Sequence, residues 1–134
     1  MNSEEMKRRT KLFALAVIKA VEGIPASVTT SIMGRQLIRC STSVGANYRG
    51  ACRAKSRPDF IAKMAIASKE AREANYWLRL LGDSGVMSDK QLPELLSASD
   101  ELIRLLTAIV HTSRRTVNSK LKTQNSKLNS EVLA

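Results

Sequence analysis

Apolar residues recur at alternating spacings of three and four along the second half of this chain. Phe60, Met64, Ala67, Ala71, Ala74, Leu78 and Leu81 form one seam, and Leu92, Leu95, Ser99, Leu102, Leu106, Ile109 and Ser113 form another. That period puts each set on one side of an α-helix, as in helices packed side by side. No alternating β-branched run or hairpin signal intervenes. With three prolines and six glycines in 134 residues, long helices are the elements the chain can build.

Punctuation divides the sequence into four such helices. The first is expected from Glu4 to Glu22, with Ser3 as N-cap and Gly23-Ile24-Pro25 as its stop. Its core face is Phe13, Val17, Ala20 and Ile24. The second starts near Ser27–Thr30 and reaches Arg53. The third opens at Ser56, where Pro58 falls in the first turn, and is expected to end at Gly82. Ser88-Asp89-Lys90-Gln91 reads as a capping box for the fourth, with Pro93 expected to delay the regular helix by a few residues. Short connections favour antiparallel neighbours, so the expected fold is all-α, an up-down-up-down four-helix bundle over residues 1–113. Residues 114–134 differ in kind: they repeat Asn-Ser-Lys-Leu at 118–121 and 125–128 and carry five cations against Glu131. This basic, low-complexity tail is expected to be disordered. The alternative is an amphipathic continuation through Val117, Leu121, Leu128 and Val132.

The length suits a single domain with a real core. An apolar fraction of 43% with only 4% aromatic residues makes that core one of Leu, Ile, Val, Ala and Met. Cys40 and Cys52, twelve positions apart on one helix, are separated by about 18 Å and cannot form a disulfide with each other. Isolated thiols of this kind fit a reducing compartment. Lys7-Arg8-Arg9 before Leu12–Ile18 superficially resembles a signal peptide, but the apolar run is short and is broken by Lys19 and Glu22. No stretch approaches the ~20 apolar residues of a membrane span. The expectation is a cytoplasmic protein with no membrane partner.

Charge sets the functional question. The chain carries 22 Lys and Arg against 12 Asp and Glu, a net +10, and its pI is near 10.1. Such a balance favours nucleic acid, an anionic surface or an acidic protein as partner. Between Glu22 and Asp59 there is no acid, yet Arg35, Arg39, Arg49, Arg53, Lys55 and Arg57 all fall there. On a helical wheel Arg35, Arg39, Arg49 and Arg53 share an arc of about 80°, opposite Met33, Leu37, Cys40, Val44, Tyr48 and Ala51. Between the two faces lies a flank of Gly34, Ser41, Gly45 and Cys52, where another backbone can approach closely. Second patches, Ile66, Glu70, Glu73 and Trp77 on the third helix and Leu15 with Ile18 on the first, call for another packing surface, and self-association is the expected use.

Catalytic signals are missing. Glu70 and Glu73 can be read as metal ligands or an acid/base pair, but a di-metal bundle site needs more ligands than one histidine, His111, supplies. Their plainer reading is ion pairing with helix-two arginines. Ser113 near His111 lacks a placed acid, and Ser41, Thr42 and Ser43 match no nucleophile motif. No phosphate loop or dinucleotide fingerprint is present. The sequence therefore predicts a non-enzyme with no cofactor, no metal and no small-molecule substrate.

One run is distinctive: Gly34-Arg35-Gln36-Leu37-Ile38-Arg39-Cys40-Ser41-Thr42-Ser43-Val44-Gly45-Ala46-Asn47-Tyr48-Arg49, followed by Arg53 to Phe60 and by Glu70-Ala71-Arg72-Glu73-Ala74-Asn75-Tyr76-Trp77-Leu78-Arg79-Leu80-Leu81. Together these resemble the bacterial four-helix-bundle family named for proteins encoded in intervening sequences of 23S ribosomal RNA genes. The likeness covers most of residues 12–110, and Thr42 to Asn47 is its most specific part. It implies a cytoplasmic homopentamer, related in fold to basic, nucleic-acid-binding accessory proteins of diversity-generating retroelements. It carries over no catalytic residue; Ser43 and Asn47 fall in the family's small polar motif, where hydrogen bonding between helices is the expected role.

Charge and resemblance together support two functional readings. In the first, the chain is an oligomeric accessory protein that binds RNA or DNA non-specifically, with Arg35, Arg39, Arg49, Arg53, Lys55 and Arg57 on phosphates and Arg114, Arg115 and the rest of the tail adding affinity. In the second it is a structural or protein-interaction module whose arginines pair with Glu70, Glu73 or a neighbouring subunit. Gly34, Ser41, Gly45, Asn47, Ile66, Glu70, Glu73 and Trp77 are the candidate packing and assembly residues in either.

Overall fold

The computed structural model describes residues 2–87 and 90–133, with side-chain surroundings as far as residue 130. Four helices make it up: α1 (Ser3–Glu22), α2 (Val28–Cys52), α3 (Arg57–Asp83) and α4 (Leu92–Leu133). Consecutive helices pack against each other, and α4 closes more loosely onto α1. This is the expected four-helix bundle, and no strand occurs among the described residues.

Local chemistry sets the boundaries. Asn2, not Ser3, caps α1, its side-chain oxygen accepting from the Glu5 N–H at 2.8 Å. Asn2 adopts the extended backbone an N-cap requires, which leaves Ser3 inside the first turn. Ser27 and Thr30 form a reciprocal capping box on α2. Ser56 caps α3 through the Asp59 N–H, and Pro58 sits where a helix needs no donor.

α3 ends at Asp83, one residue past the expected stop, but Gly82 is not the glycine that terminates it. Gly82 lies inside α3, and the chain leaves the helix at Gly85, which has φ +78°. The Val86 N–H donates to the Leu81 carbonyl and the Gly85 N–H to the Gly82 carbonyl, a Schellman closure. Gly82 serves packing instead: a Cβ there would collide with the Leu92 side chain. The capping box expected at Ser88–Gln91 involves residues 88 and 89, which lie outside the described residues. Pro93 does not delay α4, because at the second helical position its missing N–H costs no intrahelical bond.

The tail expected to be disordered is helical. From Ser113, the last buried residue among those described, α4 continues to Leu133 with Val117 half-buried and Leu121 and Leu128 exposed. No Gly or Pro follows Pro93, so nothing interrupts the backbone hydrogen-bond ladder. The low apolar content leaves this segment uncovered rather than unwound. The side chain of Val132 lies outside the described residues.

The core follows the seams. Met64, Ala67, Ala71, Ala74, Leu78 and Leu81 of α3 pack with Leu37, Cys40, Val44, Tyr48 and Ala51 of α2, Phe13 and Val17 of α1, and Leu95, Leu102, Leu106 and Val110 of α4. Fully buried leucines such as Leu37, Leu78, Leu81 and Leu106 each contribute about 1.5–3 kcal/mol.

The small flank of α2 is where α1 packs. A Cβ on Gly34 would lie 3.0 Å from Val21 Cγ1, one on Gly45 would lie 3.1 Å from Thr10 Oγ1, and Cys52 Sγ is 3.3 Å from Ser3 Oγ. The three pairs share one antiparallel register, which sets Ser41 level with Ala14. Ser41 is fully buried, and its hydroxyl has no hydrogen-bond partner among the described residues. An unpaired buried hydroxyl is costly, so Ser41→Ala is expected to leave thermal stability unchanged or raise it by up to ~1 kcal/mol. A melting temperature lowered by several degrees would show that the hydroxyl has a partner in solution.

Candidate nucleic-acid interface

Of the predicted stripe, Arg35, Arg49 and Arg53 are exposed, and none pairs with an acid among the described residues. Arg35 and Arg53 are separated by about 27 Å along the helix axis. Lys55 and Arg57 are exposed in and just beyond the connection to α3, with the Arg57 guanidinium 5.5 Å from the Phe60 ring centroid. These five cations form an open positive surface.

Arg39 is different. Its guanidinium donates to Glu70 Oε2 at 3.4 Å and Glu73 Oε2 at 3.3 Å, and lies 3.2 Å from Cys40 Sγ. The Cys40 thiol donates to Glu73 Oε2 at 3.4 Å. Glu70 is buried, so it does not belong to the outward patch in which the sequence placed it; the helix turns it toward α2, where Arg39 supplies its counter-charge. With the Arg39 side chain 54% exposed, solvent screens this pairing heavily.

This cluster also perturbs titration. Burial, reinforced by the bond to Glu73, pushes the Cys40 thiol up to about 12, while the Cys40 and Arg39 hydrogen bonds hold Glu73 below the usual carboxylate range. One oxygen from each glutamate and the Cys40 sulfur lie within 4.8 Å of one another, a potential donor set, but Arg39 already supplies positive charge there. A thiol held neutral and buried is inert, whereas Cys52 is exposed. A thiol reagent at pH 8 should therefore modify one cysteine of the native chain and the second only after unfolding. Rapid modification of native Cys52→Ser protein would contradict this arrangement.

Helix register gathers more cations than the stripe alone. Ser68 meets Thr107, and Asn75 meets Ser99 and Asp100, so α3 and α4 run antiparallel with Arg114 level with the start of α3. Arg49, Arg53, Lys55, Arg57, Arg114 and Arg115 therefore share one end of the bundle, and all are exposed. The rest of α4, with Lys120, Lys122 and Lys127, leaves from that end.

The remaining candidates divide. Gly34, Ser41 and Gly45 serve α1–α2 packing. Among the described residues Asn47 does not bridge helices: its Nδ2 donates to the Ser43 carbonyl and Oγ of its own helix, both at 2.9 Å, because residues four apart meet on one helical face. Ile66 is exposed and Trp77 half-buried, forming an uncovered apolar strip beside Leu80. A second uncovered surface lies where α4 meets α1, a groove of about 530 Å³ lined by Leu12, Phe13, Leu95 and Leu102 among others. Leu15, opposite the α1 core face, is exposed, as expected. No helix among the described residues is long and apolar enough to cross a membrane.

The fold has known counterparts. The chain is similar to a protein of unknown function from the S23 ribosomal protein family of Bacteroides thetaiotaomicron, whose crystal structure superimposes with a TM-score of 0.76 at 34% identity, covering 83% of this chain and 99% of that one. No protein of curated function matches. Residues 3–108 match the family described as 23S rRNA-intervening sequence protein, leaving the distal part of α4 outside the match. With the four-helix bundle and its α2 flank in place, the chain belongs to the 23S rRNA-intervening sequence protein family.

Proposed function

We propose that this protein is a non-enzymatic, self-associating accessory protein that binds nucleic acid through its basic surface. The observation that carries the reading is the contrast within α2: Arg39 is tied to Glu70 and Glu73, whereas Arg35, Arg49 and Arg53 project without acidic partners among the described residues. Uncompensated cations concentrated at one end of a rigid bundle match a phosphate backbone in charge. Assembly, as a homopentamer by family resemblance, would use the Ile66–Trp77 strip and the α1–α4 groove and would multiply the basic surface. The cytoplasm is the proposed location.

A second reading has one observation in its favour. The Arg39 pairing is what a purely structural module would show, with the remaining arginines reserved for acids of a neighbouring subunit. Salt separates the two. If Arg35, Arg49, Arg53, Lys55 and Arg57 each neutralise a phosphate, log affinity for single-stranded RNA falls against log salt concentration with a slope of about −3.5. The experiment is a fluorescence-anisotropy titration across a salt series, with light scattering for subunit number. A salt-independent affinity, or none at low salt, would leave the structural module standing.

A further inference from the structure

A groove of about 460 Å³ lies on the outer side of the α3–α4 contact, and at Glu73 its edge reaches the Arg39 ion pair of α2. Lys69, Arg72 and Tyr76 reach it from α3, at spacings that stack them on one helical face, and Thr107 and Arg114 reach it from α4. Its three cations face one acid, Glu73, which already accepts from Arg39 and lies 3.9 Å from Lys69. Arg72 is oriented by a 2.9 Å hydrogen bond to Thr107 Oγ1, itself 3.2 Å from Ser68 Oγ. That bond uses one of five guanidinium donors and leaves the others for a ligand. At the far end Tyr76 is 59% exposed, yet it packs edge-on against Trp77 with ring centroids 5.4 Å apart. A large aromatic surface is thus held in place beside fixed positive charge.

We propose that this groove receives an unpaired nucleotide: a base stacks on Tyr76 while Arg72, Lys69 and Arg114 hold the adjoining phosphates. Stacking needs a base free of its duplex, whereas the α2 stripe meets phosphates of either form. The groove therefore gives a phosphate-binding protein a preference for single strands. Arg114 belongs both to this groove and to the basic end of the bundle, so one strand can pass from stripe to groove. An acidic peptide would satisfy the cations but leave Tyr76 without a role, and the nucleotide is the occupant that uses both. The inference rests on the nucleic-acid reading above.

The test uses the full chain with fluorescein-labelled oligouridylate, oligodeoxythymidylate, a duplex, and polyglutamate as a base-free polyanion. Wild-type protein is expected to prefer the single strands to the duplex. Tyr76→Leu should weaken single-strand binding about tenfold and leave the duplex unchanged, while Tyr76→Phe retains wild-type affinity. Loss on either single strand supports the inference, and the strand affected names the sugar. Equal loss on polyglutamate would reassign the groove to acidic chains, and a lower subunit number for Tyr76→Leu would make it a subunit contact; either overturns the proposal. If Arg49→Glu with Arg53→Glu abolishes binding while Tyr76→Leu has no effect, the groove fails and the stripe stands. If wild-type protein binds no nucleic acid, both fall. Thermal melting of Tyr76→Leu, at an exposed position, checks that the fold is retained.

Discussion

Gly45→Leu is expected to lower unfolding stability by about 1–3 kcal/mol, the usual cost of overpacking a close contact. For a chain of this length the melting temperature would fall by roughly 3–6 °C per kcal/mol. A Cβ at Gly45 meets Thr10 Oγ1 at 3.1 Å and Thr10 Cβ at 3.4 Å, and Thr10 is fully buried with its hydroxyl bonded to the Lys7 carbonyl. The first atom of the new side chain is already tight, and the next must push α1 away from α2. Gly50→Ala provides the contrast. Its Cβ meets Lys63 Cδ at an ordinary 3.6 Å, so the helix-propensity gain of about 1 kcal/mol goes unopposed and stability should rise. Because Thr10 is the obstacle, Thr10→Ala should recover part of the Gly45→Leu loss in a double-mutant cycle. Additive losses would mean that the two positions do not touch in solution.

The flank carrying Gly45 shows what could be read from sequence and what could not. A wheel drawn from residues 33–53 alone separated core, small flank and cationic stripe, because an α-helix fixes the direction of each side chain from its position. It could not name α1 as the neighbour of the small flank, since Thr10 and Val21 look unremarkable until the antiparallel register is known. The same limit hid the Cys40 contact with Glu73 across 33 residues and the meeting of Tyr76, Thr107 and Arg114 on one groove. Asn47 failed for the opposite reason. A partner on a neighbouring helix was expected, and the nearer partner, Ser43, was four residues back on the same face. For the distal part of α4, composition described solvent exposure correctly but said little about backbone order, because a helix without Gly or Pro satisfies its own hydrogen bonds whether or not anything covers it.

Reversing Arg49 and Arg53 together to glutamate is expected to produce the largest change in binding. Each phosphate contact made at ~0.1 M salt contributes about five- to eightfold in affinity through counterion release, so losing two costs about 25-fold on a single strand and about 60-fold on a duplex, and reversal adds repulsion. The salt slope should become shallower by about 1.4 to 1.8, depending on whether the ligand is single- or double-stranded. Both side chains are exposed and neither is ion-paired among the described residues, so the bundle should melt as wild type does and keep its subunit number. Arg39→Glu makes a discriminating companion. It places a third carboxylate beside Glu70 and Glu73 and leaves buried Glu70 without its counter-charge, so its main effect should be on stability. If the Arg49 and Arg53 reversal instead dissolves the oligomer while RNA affinity per subunit is unchanged, the stripe is a subunit contact and the structural-module reading is the correct one.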